Sequence, residues 1–143
     1  MTKTSSKPSP LIGALLSNTL IPIKGVTMFK VIVAGGRDFN NYEMLKARLD
    51  TILNKKVEIE IVSGGARGAD SLGERYALER NLPCKVFPAN WELHGKSAGY
   101  KRNAEMAEYA DALVAFWDGE SKGTGHMIDL AEKKRIQIRV VKV

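Results

Sequence analysis

Four glycine-bearing loops also carry residues that bind anions, and each loop follows a predicted strand. The first contains Gly35, Gly36 and Arg37. Glycine lets a ligand approach the backbone closely, and arginine can hold a phosphate or carboxylate through two parallel hydrogen bonds. A phosphate contact is therefore one reading of this loop. A simple turn with a surface arginine is the structural alternative.

The second loop, SGGARGAD, leads into a predicted helix. Backbone amides at a helix start favour anions, and glycines leave room for them. Neither the P-loop pattern G-x-x-x-x-G-K-[ST] nor the dinucleotide pattern G-x-G-x-x-G occurs in the chain. Asp70 is predicted either to cap the helix or to accept a hydrogen bond from a ribose hydroxyl. The candidate ligand contacts here are Ser63, Gly64, Gly65, Arg67, Gly68 and Asp70.

The third loop, NWELHGKSAGYKRN, is too long for a plain connection, and long irregular loops in compact domains are usually functional. Trp91 could cover a base, or it could anchor the loop by packing. Lys101 and Arg102 supply positive charge, and Asn103 supplies hydrogen-bonding groups. These four residues are the candidate ligand contacts of this loop.

The fourth loop lies within VAFWDGESKGTGHMIDLA, between an apolar run and a predicted helix. Thr124 is predicted to cap that helix and to present its hydroxyl to a phosphate. A tight turn that requires glycine is the alternative, and His126 is predicted to be a polar surface residue. The candidate contacts are Asp118, Gly119, Gly123, Thr124 and Gly125.

Strands and helices alternate from residue 29 onward. FKVIVAGG, EIEIVSGG, CKVFPAN, DALVAFWDG and IQIRVVKV have the apolar runs of buried strands, and amphipathic segments separate them. The segments between the strands are predicted to be helices. In the second of these helices, which follows SGGARGAD, Leu72, Tyr76 and Leu78 are predicted to face the core. This alternation predicts an α/β fold, a three-layer α/β/α sandwich around a mainly parallel five-stranded sheet. The predicted strand order is 3-2-1-4-5.

That order places a topological switch between the first and fourth strands, where ligands bind beyond the carboxyl ends of the strands. The loops GGRDF and DGESKGT become neighbours there. The sequence thus predicts a pocket for a negatively charged group, in which Arg37 and Arg102 face the amides around Thr124.

Composition bounds the remaining possibilities. The 143 residues fit one domain, and the net charge is +6. Residues 1–28 contribute half of that charge and are predicted to be a flexible extension before a domain over 29–143. The net charge of that domain is then too close to zero for a strongly basic groove. The single cysteine, Cys84, fits a reducing cytoplasm and is predicted to be a buried apolar residue. No membrane partner, metal site or cofactor is predicted, because no long apolar span and no metal-ligand spacing occur.

The motifs GGRDF, SGGARGAD, FPANW, GKSAGYKRNAEM, ADALVAFWDG and KGTGHMIDLA together resemble the YspA/YpsA-related branch of the SLOG superfamily, from Phe29 to Val143. The resemblance implies a Rossmann-like domain that binds nucleotides, nucleotide-derived signals or nucleic acid. It also leaves a homodimer open, since SLOG relatives often pair.

Within that superfamily, the LOG phosphoribohydrolases carry R-K-x-x-M and P-G-G-x-G-T-x-x-E. Here RNAEM matches Arg102 to the arginine and puts Asn103 in place of the lysine. The segment DGESKGTGHM matches the phosphate loop with one extra residue and no proline, and Met127 stands in place of the catalytic glutamate. Methionine transfers no proton, so catalytic residues are not assigned and enzyme activity stays open.

Three functions follow as hypotheses. The first is a nucleotide or nucleotide-derivative binding domain that acts as a ligand sensor, with phosphate held over residues 119–126. The second is an N-glycosidase acting on nucleoside phosphates, related to the LOG enzymes. The third is single-stranded nucleic-acid binding in the manner of DprA, which the near-neutral domain does not favour.

Overall fold

The computed structural model describes residues 27–143, together with two short strands, Leu15–Leu16 and Thr19–Leu20, that pair antiparallel. Most of the predicted extension over residues 1–28 lies outside the described residues, so its flexibility stays a prediction. None of the helices in the described part of the chain is long and apolar enough to cross a membrane.

Five strands of the described domain form one parallel sheet. In chain order they are β1 (Phe29–Gly35), β2 (Ile59–Ser63), β3 (Cys84–Val86), β4 (Ala112–Trp117) and β5 (Gln137–Lys142). Their order across the sheet is β3-β2-β1-β4-β5, and every neighbouring pair is parallel. The predicted fold class and the order 3-2-1-4-5 are confirmed. The switch point lies between β1 and β4.

The helices of the domain are α1 (Tyr42–Ile52), α2 (Ala69–Glu79), α3 (Trp91–His94), α4 (Ala98–Tyr109) and α5 (Lys122–Lys134). A turn of 3-10 helix over Gly95–Ser97 joins α3 to α4. Asn41 caps α1, because its side chain accepts a hydrogen bond from the Met44 amide at 3.1 Å. Asn90 caps α3 in the same way.

Two buried layers flank the sheet because successive strand residues point to opposite faces. Val31 and Val33 of β1 pack with α1 and α2, whereas Ile32 and Ala34 pack with α4 and α5. Phe116 of β4 belongs to the first layer and is fully buried. The result is the predicted three-layer sandwich, with the ends of β1 and β4 open between the layers.

Two local predictions from the sequence, for Leu78 and Thr124, are wrong, and one of the two alternatives for Asp70 is excluded. Leu78 is 72% exposed, because it lies two residues beyond the buried Tyr76 and a helix turns by about 100° per residue. Asp70 does not cap α2, because the cap position is Gly68 and Asp70 lies inside the first turn. Thr124 likewise does not cap α5, which begins at Lys122 after the cap residue Ser121.

Candidate functional site

A cleft of about 600 Å³ opens at the carboxyl ends of β1 and β4, at the switch point. The β1 loop, the start of α4 and the first turn of α5 form its walls. Phe116, Met106 and Met127 give it an apolar floor. The predicted site residues that line it are Gly35, Gly36, Arg37, Asp70, Arg102, Asn103, Asp118, Gly123 and Thr124.

The start of α5 forms one wall of the cleft. The first amides of a helix have no intrahelical acceptor, so those of this turn are available to a ligand. Thr124 is only 4% exposed, and its hydroxyl lies 3.2 Å from the Ser121 hydroxyl. Gly123 and Thr124 both line the cleft. The wall therefore combines backbone donors with a hydroxyl, which suits an oxyanion.

Asp118 fixes the loop that precedes α5. Its Oδ1 accepts hydrogen bonds from the amides of Glu120 and Ser121, each at 2.8 Å. These two amides hold the pKa of the Asp118 carboxyl below its ordinary range. The Trp117 indole donates to the Ser121 carbonyl oxygen at 3.0 Å, which ties the loop to the end of β4.

Arg102, on α4, reaches across the cleft towards the second loop. Its Nη1 donates to the carbonyl oxygen of Gly64, and its Nε donates to Asn103 Oδ1 at 3.0 Å. Burial lowers the pKa of Arg102, and the neighbouring Asp70 opposes that shift. A guanidinium stays protonated in proteins, so Arg102 is a held, half-buried positive charge at the cleft.

Asn103 connects α4 to the start of α5. Its side chain is 6% exposed, and its Nδ2 donates to the Gly123 carbonyl oxygen at 3.3 Å. The same nitrogen lies 3.3 Å from His126 Nδ1. Because Asn103 Oδ1 also receives Arg102 Nε, this one amide sets the position of the arginine relative to the first turn of α5.

The first and second loops pack directly on each other. Gly68 has φ +82°, and a methyl group added there would collide with the Gly36 carbonyl oxygen and lie 2.5 Å from that of Arg37. The Ala69 amide donates to the Gly36 carbonyl oxygen at 3.2 Å. Gly68 therefore supports the loop that carries Arg37, although it does not line the cleft itself.

Asp70 is the most buried carboxylate of the cleft. It is 8% exposed, and its Oδ2 accepts a hydrogen bond from the Ala66 amide at 3.2 Å. Burial raises the pKa of the Asp70 carboxyl to about 6, against the opposing effects of the Ala66 amide and Arg102.

The remaining predicted contacts lie outside the cleft lining. Ser63 is turned into the protein, where its hydroxyl donates to Glu74 Oε2 at 2.6 Å and accepts from the Gly65 amide at 3.0 Å. Arg67 is exposed and pairs with Asp38 at 3.7 Å. Trp91 is 53% exposed, and Lys101 also faces solvent. The predicted contacts outside the lining are Ser63, Gly64, Gly65, Arg67, Gly68, Trp91, Lys101, Gly119 and Gly125.

The sequence did not single out several residues that line the cleft. Asp38, Phe39 and Asn40 continue the glycine loop, and that adjacency was a usable signal. Met106 and Phe116 lie at helix and strand positions whose spacing marks them only as core. The remaining unpredicted lining residues are Ala34, Ala66, Ser121 and Val143.

Met127 bears on catalysis, and the histidine, cysteine and carboxylate side chains bear on metal binding. The position that the resemblance aligns with the LOG catalytic glutamate is Met127, a side chain without a carboxylate that is 1% exposed at the cleft floor. Within the described residues, no group of three or more histidine, cysteine, aspartate and glutamate side chains could hold a metal. His126 is partly buried beside Tyr100, and burial lowers the pKa of its imidazole.

Two solved structures are similar in fold. DNA processing protein A (DprA) from Streptococcus pneumoniae matches 79% of this chain with a TM-score of 0.65 and 16% identity. DprA from Helicobacter pylori matches 80% with a TM-score of 0.56 and 19% identity. The chain spans 50% and 65% of the lengths of these two chains. At such identities the likeness concerns the fold alone.

Sequence comparisons identify the family of the chain, which the fold comparisons alone do not. The family model of the YspA, cpYpsA-related SLOG proteins matches residues 29–94, which contain the first two loops of the cleft. The Gene 61 protein of Mycobacterium phage D29 is 35% identical over 118 residues, covering 78% of this chain and 94% of that protein. The chain belongs to the YspA, cpYpsA-related SLOG family.

Proposed function

We propose that the cleft binds a nucleotide or a nucleotide-derived signal, with a phosphate held between the first turn of α5 and the two arginines. One observation carries the proposal: Asn103 bonds both Arg102 and the Gly123 carbonyl oxygen, so guanidinium and helix start are fixed against one another. Arg37 lines the same cleft from the β1 loop.

Electrostatics support an anion at this position. The amino end of a helix carries roughly half a positive charge, and a bound phosphate also receives hydrogen bonds from its free amides. Arg37 is exposed at the rim, whereas Arg102 is half-buried. A half-buried guanidinium binds a phosphate more strongly than an exposed one because water screens it less.

The shape supports a ligand larger than phosphate. A volume of about 600 Å³ falls within the range of small-molecule sites, which is roughly 300–1,000 Å³. Phe39, which is half-buried and lines the cleft, offers an aromatic surface on which a base could pack. Because residue 127 is a methionine and supplies no carboxylate, we propose ligand binding and no reaction. The protein would act as a sensor if ligand binding changed the contacts of α5.

Ligand-dependent thermal stability tests the proposal. The purified protein is titrated with AMP, GMP, CMP and UMP, and with adenosine as the ligand without phosphate. A binding nucleotide at a hundredfold excess over its Kd is expected to stabilise the fold by about 2.7 kcal/mol. Adenosine is expected to bind at least tenfold more weakly. No stabilisation by any phosphate-bearing ligand at millimolar concentration would contradict the proposal.

Matched variants locate the site. Arg37→Ala and Arg102→Ala are expected to weaken nucleotide binding in isothermal titration calorimetry, because each removes a positive charge from the cleft. Lys101→Ala removes the same charge from an exposed position outside the cleft, next to Arg102 in the chain, and is expected to leave affinity unchanged. Equal losses in all three variants would indicate a general charge effect instead of a cleft.

A second candidate is single-stranded nucleic acid, as the H. pylori DprA neighbour binds single-stranded DNA. The exposed Trp91 favours this candidate because its ring lies near the Arg102 guanidinium. A methyl group built at Gly99 would lie 3.7 Å from the Trp91 ring and 3.8 Å from the guanidinium. A base could stack on this indole while Arg102 binds the backbone. Fluorescence anisotropy with a labelled oligothymidine tests this candidate, with Trp91→Ala as the variant and Leu93→Ala as the exposed control. Unchanged affinity in Trp91→Ala, or binding that does not weaken with salt, would contradict it.

A further inference from the structure

The cleft contains carboxylates that a phosphate alone would not require. Asp38, Asp70 and Asp118 all line it, against the positive charges of Arg37 and Arg102. Two of these carboxylates have local roles. Asp118 accepts the amides of its own turn, and Asp38 pairs with Arg67 at the surface.

Asp70 has no such complete set of partners. It is more than nine-tenths buried, and only its Oδ2 receives a hydrogen bond, from the Ala66 amide. Across the described residues, no donor reaches its Oδ1, although the residue lines the cleft. Asp70 Oδ1 is not among the fully buried polar atoms without a partner in the described residues, so it is reachable from the cleft and open to a donor supplied by a ligand.

Gly64 keeps Asp70 beside the phosphate-binding arginine. A methyl group built at Gly64 would lie 2.8 Å from Asp70 Oδ2 and 2.7 Å from Arg102 Nη1. The carboxylate and the guanidinium therefore border the same small volume. They form no ion pair within 4.0 Å among the described residues, because Arg102 Nη1 is directed to the Gly64 carbonyl oxygen.

An ionised carboxylate only accepts hydrogen bonds, so the ligand must bring a donor close to its phosphate. In a nucleotide, the donors nearest the phosphate are the sugar hydroxyls. We infer that Asp70 accepts a hydrogen bond from a sugar hydroxyl of the bound nucleotide, so that the cleft prefers ribonucleotides to their deoxy forms. The inference rests on the proposed function and names the ligand class of the same site.

Calorimetry with four nucleotides tests the inference: AMP, 2′-deoxy-AMP, 3′-deoxy-AMP and 2′,3′-dideoxy-AMP. The wild-type protein is expected to bind AMP at least tenfold more tightly than the dideoxy nucleotide. The two monodeoxy forms identify which hydroxyl is bound. If the wild type binds AMP and the dideoxy nucleotide equally, the inference is overturned and the proposed function stands. If it binds none of the four and none of the guanine, cytosine or uracil nucleotides, both fail.

Two variants assign the effect to Asp70. Asp70→Ala removes the acceptor and is expected to lower the preference for AMP over the dideoxy nucleotide to less than threefold, without weakening binding of the dideoxy nucleotide. Asp38→Ala removes an exposed carboxylate of the same cleft and is expected to keep the wild-type preference. A wild-type preference retained in Asp70→Ala would overturn the assignment. Circular dichroism and thermal unfolding verify that both variants fold.

Discussion

Arg102 on α4 donates a hydrogen bond through Nη1 to the backbone carbonyl oxygen of Gly64, which follows β2. The two residues are 38 positions apart in the chain. This bond and the one from Arg102 Nε to Asn103 fix the guanidinium at the boundary between the second loop and α4. An arginine restrained in this way loses little further freedom when it binds a ligand.

Arg102→Lys keeps the charge but not the fork of donors. A lysine ammonium cannot hold the Gly64 carbonyl oxygen and Asn103 in the same geometry, so we expect nucleotide affinity to fall roughly tenfold, a loss of about 1.4 kcal/mol. Calorimetry measures it. Arg37→Lys, at the exposed rim, is the control and is expected to change affinity less. A larger loss in Arg37→Lys would show that the rim arginine is the main phosphate contact.

Gly68→Ala is expected to destabilise the domain. The residue has φ +82°, and a methyl group would collide with the carbonyl oxygens of the β1 loop. We expect the free energy of unfolding in urea to fall by roughly 2–4 kcal/mol, through strain and displacement of that loop.

Gly36→Ala is the matched control for Gly68→Ala. A methyl group at Gly36 has no atom within 4 Å, so this variant is expected to differ from wild type by less than about 1 kcal/mol. Equal destabilisation of the two variants would refute the packing of the first loop on the second.

Asp70→Asn is expected to stabilise the folded protein at neutral pH. Burial raises the pKa of this carboxyl from 3.8 to about 6, so the folded state holds a proton that the unfolded state releases between these values. The contribution of Asp70 to stability is therefore full below pH 4 and is lost as the pH rises through 6. Removing the charge should raise the free energy of unfolding at pH 7 by roughly 1–3 kcal/mol.

Thermal unfolding of the wild type and of Asp70→Asn between pH 4 and 8 measures this difference. The two melting temperatures are expected to converge at the acid end and to separate as the pH rises. Asp38→Asn, whose carboxylate is exposed, is expected to follow the wild type throughout. A destabilised Asp70→Asn at pH 7 would mean that the carboxylate serves the fold and not a ligand.

Asn103→Ala is expected to loosen the joint between α4 and α5. The variant leaves Arg102 Nε and the Gly123 carbonyl oxygen without their partner, and we expect a loss of roughly 1–3 kcal/mol in the free energy of unfolding. Nucleotide affinity should fall as well, because the arginine and the first turn of α5 are no longer held together. Urea unfolding and calorimetry measure the two effects. Glu105→Ala, exposed on the same helix, should change neither.

Residue order alone determined the sheet and the place of the cleft. Apolar runs of five to seven residues that end in glycine mark buried parallel strands, and these runs alternate with helices at the predicted positions. Once the strands are parallel, their carboxyl ends share one edge, so the glycine loops must meet there. The motifs in those loops were also sufficient to predict the family from the sequence.

Tertiary structure alone decided which loop side chains face the cleft. Ser63 turns inward to Glu74, Gly68 packs on the first loop, and Asp70 becomes a buried carboxylate beside Arg102. Leu78 turns to solvent for a similar reason, since its exposure depends on where α2 begins and on what covers it. These outcomes depend on contacts between segments far apart in the chain. Local spacing constrains the elements but not the atoms that the elements bring together.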